Sequence, residues 1–183
     1  MSKPRIAPVT VDAAPAASID ILQAVKAKVG KVPNLYATLA HAPAALKGLI
    51  ALNEALGAGS LSAAEREIIA LATAQANGCH YCLSAHSLLG KNAGLDATRV
   101  AQARAGHGST ARQAAIAALA RSVALSRGQD SIAALATARE AGLSEGEIIE
   151  VVVGVAANAL TNFTNNVADT EIDFPVVPLE QAA

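Results

Sequence analysis

Helix-start signals recur along this chain, and each precedes apolar residues at helical spacing. Ser62-Ala-Ala-Glu65 and Thr110-Ala-Arg-Gln113 have the form of a capping box, in which the hydroxyl residue and the Glu or Gln three positions later satisfy each other's backbone N–H groups. Asp96 and Ser144, the latter in Ser144-Glu-Gly-Glu147, are further candidates for helix N-caps. No segment alternates apolar and polar residues for long enough to predict a strand. The pattern therefore predicts an all-α fold.

The composition favours the same fold. Hydrophobic residues make up 52% of the 183-residue chain, charged residues 16% and aromatic residues 2%. The apolar side chains are mostly Ala, Leu, Val and Ile, and alanine is the best helix former because it loses no side-chain entropy. We expect a single-domain bundle of about eight helices over residues 18–176. An extended arm (1–17) would precede it, and a tail (177–183) would follow.

The starts of three helices and the end of one are predicted from local signals. We expect Ser18 to cap the first helix, a new helix to begin at Cys79 after the Asn77-Gly78 turn, and a long apolar helix to run from Glu145 to about Asn165.

Charge and aromatic content limit the partners. The net charge is −1, Trp is absent, and the chain has two Tyr and two Phe. It therefore lacks both the excess positive charge that binds phosphates and the aromatic side chains that stack on bases. The longest apolar run, Val151 to Ala157, is far shorter than the roughly 20 residues that span a bilayer. The N-terminus makes a poor signal peptide. We expect a cytoplasmic protein without nucleic-acid or membrane partners, in which a cysteine pair is catalytic or metal-binding rather than structural.

The only two cysteines lie in the segment Asn77-Gly-Cys79-His-Tyr-Cys82-Leu-Ser-Ala-His86. At 100° per residue, Cys79, Cys82 and His86 fall within an arc of roughly 60° on one helix face. The helix N-terminus favours a thiolate over a thiol, and the spacing permits a disulfide. Cys79 is nearer the helix end and Cys82 is nearer His86, so the spacing alone does not say which sulfur attacks.

Glu67 is the candidate carboxylate of this site. It lies twelve residues before Cys79, on a helix face shared with Leu71 and Ala74 that should be packed. A carboxylate on a packed face is costly unless it has a partner, and either the imidazole of His86 or the sulfur cluster is a plausible one. We therefore expect Glu67 to approach the dithiol.

Simpler interpretations of these residues remain. The thiols could be packed as small apolar groups, or Cys79, Cys82, His86 and Glu67 could bind zinc. His41 is expected at the surface where a helix ends, and Tyr81 is expected to pack rather than to donate a proton. The similarity of Leu61-Ser-Ala-Ala-Glu65 to Leu143-Ser-Glu-Gly-Glu147 is explained by two capped helices as well as by a decayed duplication.

A glutamate, eleven residues, Cys-x-x-Cys, three residues and a histidine together resemble the signature of AhpD-like alkylhydroperoxidases, in the wider carboxymuconolactone decarboxylase family. Val32-Pro-Asn-Leu-Tyr36, Leu39-Ala-His-Ala-Pro43 and Ala168-Asp-Thr-Glu-Ile-Asp-Phe-Pro175 are similar to its peroxidase-related branch. The resemblance covers roughly residues 30–176.

The resemblance implies a thiol peroxidase in which Cys82 attacks the peroxide, Cys79 resolves the sulfenic acid as a disulfide, and His86 and Glu67 relay protons. It implies a hydroperoxide substrate, a lipoyl or thioredoxin-like dithiol reductant, no cofactor and no metal. It also implies a homo-oligomer, often a trimer or hexamer, which the mean hydropathy of +0.36 independently favours.

The chain departs from the family pattern at two places. Tyr81 stands where some members have a histidine, with His80 one residue earlier. Asn165-Asn166 stands where Asn-His is expected, which leaves the role of that position open. Two alternative functions are a γ-lactone decarboxylase, as in the other branch of the family, and a non-catalytic redox-sensing oligomer.

Overall fold

A computed structural model describes residues 3–179, and within this range the chain is all-α, as predicted. It contains a short 3-10 helix, Val11–Ala13, and nine α-helices where about eight were expected. The helices are α1 (Ala16–Val29), α2 (Asn34–Leu39), α3 (Pro43–Gly57), α4 (Ala63–Ala76), α5 (His80–Asn92), α6 (Ala97–Arg104), α7 (Ala111–Ser126), α8 (Ile132–Glu140) and α9 (Glu145–Ala168).

Helix α4 lies at the centre of the bundle and packs against α5, α6, α7 and α9. The main core forms around it from fully buried side chains such as Leu71, Leu83 and Val151. Gly154 of α9 faces Ile69 of α4, where an added Cβ would lie 3.3 Å from the isoleucine side chain. The missing side chain therefore lets α9 approach α4 closely.

A smaller apolar cluster joins α1, α2 and α3 beside the main core. Leu22, Leu46 and Leu49 are buried in it, and Leu35 at the start of α2 contacts both clusters. These three helices therefore form a wall along one side of α4, α5 and α9.

The predicted capping box at Ser62 is confirmed, whereas the one predicted at Thr110 is wrong: Thr110 Oγ1 accepts from the Gln113 N–H, but the reciprocal bond from Gln113 is not formed. Ser144, predicted as an N-cap, forms a complete capping box, and one arginine joins the two boxes. Ser62 and Glu65 cap α4 reciprocally, and Ser144 and Glu147 cap α9 in the same way. Arg112 of α7 lies between them, with Nε 2.6 Å from Glu65 Oε1 and Nη2 2.5 Å from Glu147 Oε1. The two similar sequence segments thus begin adjacent helices that share one cation.

The prediction that Ser18 caps the first helix is wrong. Helix α1 begins at Ala16 with Pro15 at the cap position, and Ser18 is fully buried in its first turn. Ser18 Oγ donates a hydrogen bond to the carbonyl of Ala40 at 2.8 Å, so this hydroxyl joins α1 to the end of α2. Serine is a favourable N-cap by residue type, but Pro15, three residues earlier, already marks the start of the helix.

The arm before α1 lies along the bundle. Val9 and Val11 pack against the smaller cluster, and the backbone N–H groups of Arg5 and Ile6 donate to the carbonyl of Ala168. Part of the arm is the 3-10 helix rather than extended chain. Residues 1 and 2 of the expected arm lie outside the described residues.

The chain after α9 has no regular secondary structure as far as residue 179, as expected, yet it is packed against the bundle. Helix α9 continues to Ala168, three residues beyond the predicted end. Ile172, Phe174 and Val177 contact the main core, and the Val177 N–H donates to Ser84 Oγ at 3.1 Å. Residues 180–183 of the expected tail lie outside the described residues.

Helix α9 is also the one helix among residues 3–179 that is long and apolar enough to cross a membrane, with a mean hydropathy of 1.2. Length and composition alone are weak evidence for a span, because the core helix of a soluble protein passes the same test. Here 33% of that stretch is buried inside the protein, including Val151 and Val155 in the main core.

Candidate active site

The dithiol lies where α4 turns into α5. The turn passes through Gly78, whose φ of 61° is unfavourable for other residues. Cys79 follows as the N-cap of α5, rather than as its first helical residue, and its Sγ accepts a hydrogen bond from the Cys82 N–H at 3.3 Å. Both cysteines are free thiols, 0% and 2% exposed. The predicted placement at a helix N-terminus is therefore confirmed.

Glu67 approaches the dithiol through His86, as expected. Its Oε2 lies 2.8 Å from His86 Nδ1, and both side chains are largely buried. Burial alone would lower the pKa of His86, but the carboxylate of Glu67 outweighs it, so the pKa is raised above its usual value. Glu67 therefore holds the imidazole beside Cys82 and favours its cationic form.

Helix α9 contributes a residue that sequence reasoning did not place at the site. Asn165 Nδ2 donates a hydrogen bond to Cys82 Sγ at 3.2 Å, and Thr161 Oγ1 lies 4.0 Å from the same sulfur. Asn166 is exposed and instead donates to the carbonyl of Asn77 at 3.1 Å. A repeated polar spacing on an otherwise apolar helix, at Asn158, Thr161, Asn162 and Asn165, is the sequence signal that could have revealed this face.

The two sulfurs differ strongly in acidity. A hydrogen bond from Cys79 lowers the pKa of Cys82 most, burial opposes it, and the charge of His86 and the amide of Asn165 lower it further, to about 6. The same hydrogen bond, together with burial, raises the pKa of Cys79. Of the two sulfurs, Cys82 is therefore the one on which a negative charge is favoured.

Cys82 faces a cavity of about 400 Å³ between α4, α5, α9 and the wall formed by α1–α3. Glu67 and His86 line it together with mainly apolar residues, and the partly exposed Val29 and Leu89 lie at its rim. Cys79 is fully buried behind Cys82 and is not part of the lining. A small apolar molecule in this cavity would meet one sulfur and not the other.

Tyr81 packs and joins the C-terminal segment to the site. Its hydroxyl donates to Asp173 Oδ1 at 2.8 Å and accepts from the Leu35 N–H at 3.2 Å. Its ring meets Phe174 edge to face at 5.6 Å, and Lys31 pairs with Asp173 at 2.9 Å. Burial raises the pKa of Tyr81, so the phenol stays protonated as a hydrogen-bond donor.

The remaining histidines of the sequence analysis lie elsewhere. His41 is exposed, as expected, and its Nε2 lies 2.9 Å from the carbonyl of Ala7 in the arm. His80 is half-buried, and its Nε2 has no hydrogen-bond partner among the described residues. Over residues 3–179, no group of three or more His, Cys, Asp or Glu side chains has the geometry to hold a metal ion.

Residues 43–121, which include Glu67, Cys79, Cys82 and His86, match the model of the carboxymuconolactone decarboxylase family. No curated protein sequence matches the chain.

Several solved structures are similar over almost the whole chain. An AhpD-core, uncharacterised peroxidase-related protein from Ralstonia eutropha JMP134 is 26% identical, with 94% of each chain covered and a TM-score of 0.83. A peroxidase-related protein from Silicibacter sp. TM1040 is 21% identical, covering 93% of this chain and 94% of that one, with a TM-score of 0.78. The debrominase Bmp8, in complex with 2,3,4-tribromopyrrole, is 20% identical over 94% and 93% of the two chains, with a TM-score of 0.78. The fold therefore serves more than one chemistry.

Proposed function

Since residues 43–121 match the carboxymuconolactone decarboxylase family and the chain has an AhpD-like all-α fold, we propose that it is a thiol-dependent peroxidase that reduces hydroperoxides through a dithiol–disulfide cycle. One observation carries the proposal. Cys82 faces the cavity beside His86 and Glu67, while Cys79 is fully buried next to it, with its Sγ 3.3 Å from the Cys82 backbone nitrogen.

In the first step the Cys82 thiolate attacks the terminal oxygen of the hydroperoxide. The O–O bond breaks, the alkoxide takes a proton from the His86–Glu67 pair and leaves as an alcohol, and Cys82 becomes a sulfenic acid. His86 lies one helical turn below Cys82 and is held by Glu67 at 2.8 Å, so the proton donor faces the same cavity as the nucleophile. Cys82 is the attacking sulfur because it lines the cavity and because its pKa is lowered by its neighbours.

In the second step the Cys79 thiol attacks the Cys82 sulfur. The S–O bond breaks, water leaves with the thiol proton, and a disulfide forms, so the two sulfurs together have supplied the two electrons that reduced the peroxide. The high pKa of Cys79 keeps it protonated until then. A dithiol reductant of the lipoyl or thioredoxin-like type then restores both thiols by exchange.

The position of the dithiol favours this function over the two alternatives. A γ-lactone decarboxylase needs no redox-active sulfur, yet here the cavity is lined by Cys82, whose pKa is lowered by its neighbours. A redox sensor needs a disulfide but no substrate cavity, and a volume of about 400 Å³ lies directly against Cys82.

The test is hydroperoxide consumption with cumene hydroperoxide and dihydrolipoamide. Cys82→Ser is expected to reduce consumption to the uncatalysed rate, and Cys79→Ser to react once per subunit and then stop. His41→Asn, which changes a surface histidine, serves as the control and should retain full activity.

Full activity in Cys82→Ser would reject the proposal. Turnover of a γ-lactone that survives alkylation of both cysteines would favour the decarboxylase. Stoichiometric disulfide formation without turnover by dithiols would favour the redox sensor.

A further inference from the structure

The inner face of α9 presents only neutral polar groups to the dithiol. The ionisable groups around Cys82 come from other elements: Cys79 and His86 on α5, with Glu67 behind His86, and Tyr81, which is already engaged with Asp173. Each of these ionisable side chains either can gain or lose a proton at the site or is hydrogen-bonded to a charged neighbour. The amides of α9 are different, because they can donate hydrogen bonds to a negative charge without changing their own charge.

Asn165 is the first of these amides. Its side chain is 3% exposed, and its Nδ2 is 3.2 Å from Cys82 Sγ. Its Oδ1 has no hydrogen-bond partner among the described residues. The side chain thus contacts the sulfur through its nitrogen, which is the orientation that suits an anionic sulfur.

Asn162 is the second amide. It is 0% exposed, and its Oδ1 accepts a hydrogen bond from Asn77 Nδ2 at 2.9 Å, which fixes the direction of the amide. Its Nδ2 has no partner among residues 3–179, although this side chain does lower the pKa of Cys82. Buried donors without partners are rare in folded proteins and call for an explanation. A thiolate, which accepts more hydrogen bonds than a neutral thiol, supplies one.

We propose that Asn165 and Asn162 form an amide pair that binds the negatively charged sulfur of Cys82 and stabilises the reduced, thiolate form of the dithiol. The consequence for catalysis rests on the proposed peroxidase function, but the effect on the sulfur itself does not. Because the amide pair favours the thiolate over the disulfide, it also makes the disulfide easier to reduce.

The first measurement is the pH dependence of iodoacetamide alkylation. In a Cys79→Ser background Cys82 is the single thiol of the chain, so the reaction reports on it alone. Asn165→Leu is expected to raise the midpoint by about 1 to 2 pH units, because a hydrogen bond to a charged group is lost. Asn165→Asp, which is nearly the same size, should raise it further by adding a like charge. Asn162→Leu should raise it in the same direction.

The second measurement is the equilibrium of the Cys79–Cys82 disulfide with a dithiothreitol redox buffer at pH 8, in the full chain with both cysteines. Asn165→Leu is expected to lower the equilibrium constant for reduction of the disulfide about ten- to a hundredfold. At this pH Cys82 is a thiolate in the reduced protein, so weaker stabilisation of the thiolate directly disfavours reduction. Thr164→Leu, a change one position before Asn165 on α9, is the control and should leave both measurements unchanged, because the Thr164 hydroxyl donates to the Leu160 carbonyl of its own helix.

A merely structural role for the amides would lower the melting temperature without moving either quantity. An unchanged midpoint and an unchanged reduction equilibrium in folded Asn165→Leu and Asn165→Asp would overturn the proposal. Shifted values in a protein that consumes no peroxide would uphold the amide pair and reject the peroxidase function, so the two failures are distinguishable.

Discussion

At the scale of single residues, opposing effects act on the Cys82 sulfur. Burial favours the neutral thiol, while the Cys79 hydrogen bond, the charge of His86 and the Asn165 amide favour the thiolate and prevail. Glu67 contributes indirectly, because it raises the pKa of His86 and so keeps a positive charge near the sulfur. The reactive state of Cys82 is thus set jointly by α4, α5 and α9.

This arrangement predicts how Glu67→Gln changes the pH profile. Without the carboxylate, burial lowers the pKa of His86, the imidazole loses its charge near neutrality, and the pKa of Cys82 rises above about 6. The acid limb of kcat/KM for cumene hydroperoxide should therefore move to higher pH. At a pH below the new pKa of Cys82, each unit by which that pKa rises lowers the thiolate fraction about tenfold. At a pH above the new pKa, the loss of activity should become smaller.

The control for this prediction is Glu140→Gln, which changes an exposed carboxylate on α8. It should leave the profile in place. A Glu67→Gln profile that falls uniformly at every pH would contradict the assignment of Glu67 as the partner of His86.

At the scale of helices, the starts of α4 and α9 depend on one side chain of α7. Glu65 and Glu147 each complete a capping box, and each also binds Arg112, whose side chain is 33% exposed. The pKa of Glu65 is lowered despite its burial, and that of Glu147 falls to about 2, chiefly through Arg112. These two helices carry Glu67 and Asn165, so their relative position matters to the site.

We predict that Arg112→Met lowers the free energy of unfolding by about 1–3 kcal/mol at pH 7, since two hydrogen bonds to charged groups are lost. A carboxyl whose pKa is depressed in the folded state stabilises the protein above its unfolded pKa and loses this effect as the pH falls through the folded value. The difference between wild type and Arg112→Met should therefore shrink from about pH 4.5 towards pH 2, as measured by urea denaturation.

The matched control is Arg139→Met, which removes an ion pair with Glu145 that lies at the surface. Exposed pairs contribute little to stability, so no measurable change is expected. An equal loss in both variants would contradict the particular role of Arg112.

At the scale of the whole molecule, the outer face of α9 remains apolar and uncovered. Its exposed apolar residues recur at helical spacing and form one stripe, made of Ile149 (61% exposed), Val152 (38%), Ala156, Leu160 (41%), Phe163 (57%) and Val167 (64%). Contiguous apolar surface of this kind marks protein interfaces more often than solvent-facing helices. We expect this α9 stripe to pack against a second copy of the chain in a trimer or hexamer.

Self-association through the stripe predicts that Phe163→Asp dissociates the oligomer at micromolar concentration, because it buries a charge in an apolar interface. Sedimentation velocity of the wild type and the variant would measure this. Val176→Asp, which changes an equally exposed apolar residue away from α9 (63%), should leave the oligomer intact. A monomeric wild type would contradict the prediction.

The sequence alone determined what depends on neighbours within a turn or two of the chain: the all-α fold, the N-caps at Ser62, Thr110 and Ser144, and the placement of Cys79, Cys82 and His86 on one helix face. These interactions have fixed sequence separations, so residue type and spacing encode them. Glu67 was also predictable, because a carboxylate on a packed face needs a partner and His86 was the nearest candidate.

Only the tertiary structure decided the rest. That Cys82 rather than Cys79 meets the cavity, that Asn165 reaches a sulfur 83 positions away, and that Ser18 joins two helices instead of capping one all depend on how the helices pack. Helix periodicity states which side chains share a face, but the angle and rotation at which two helices meet arise from the summed packing of the core. Contacts between distant segments therefore leave no fixed spacing in the sequence.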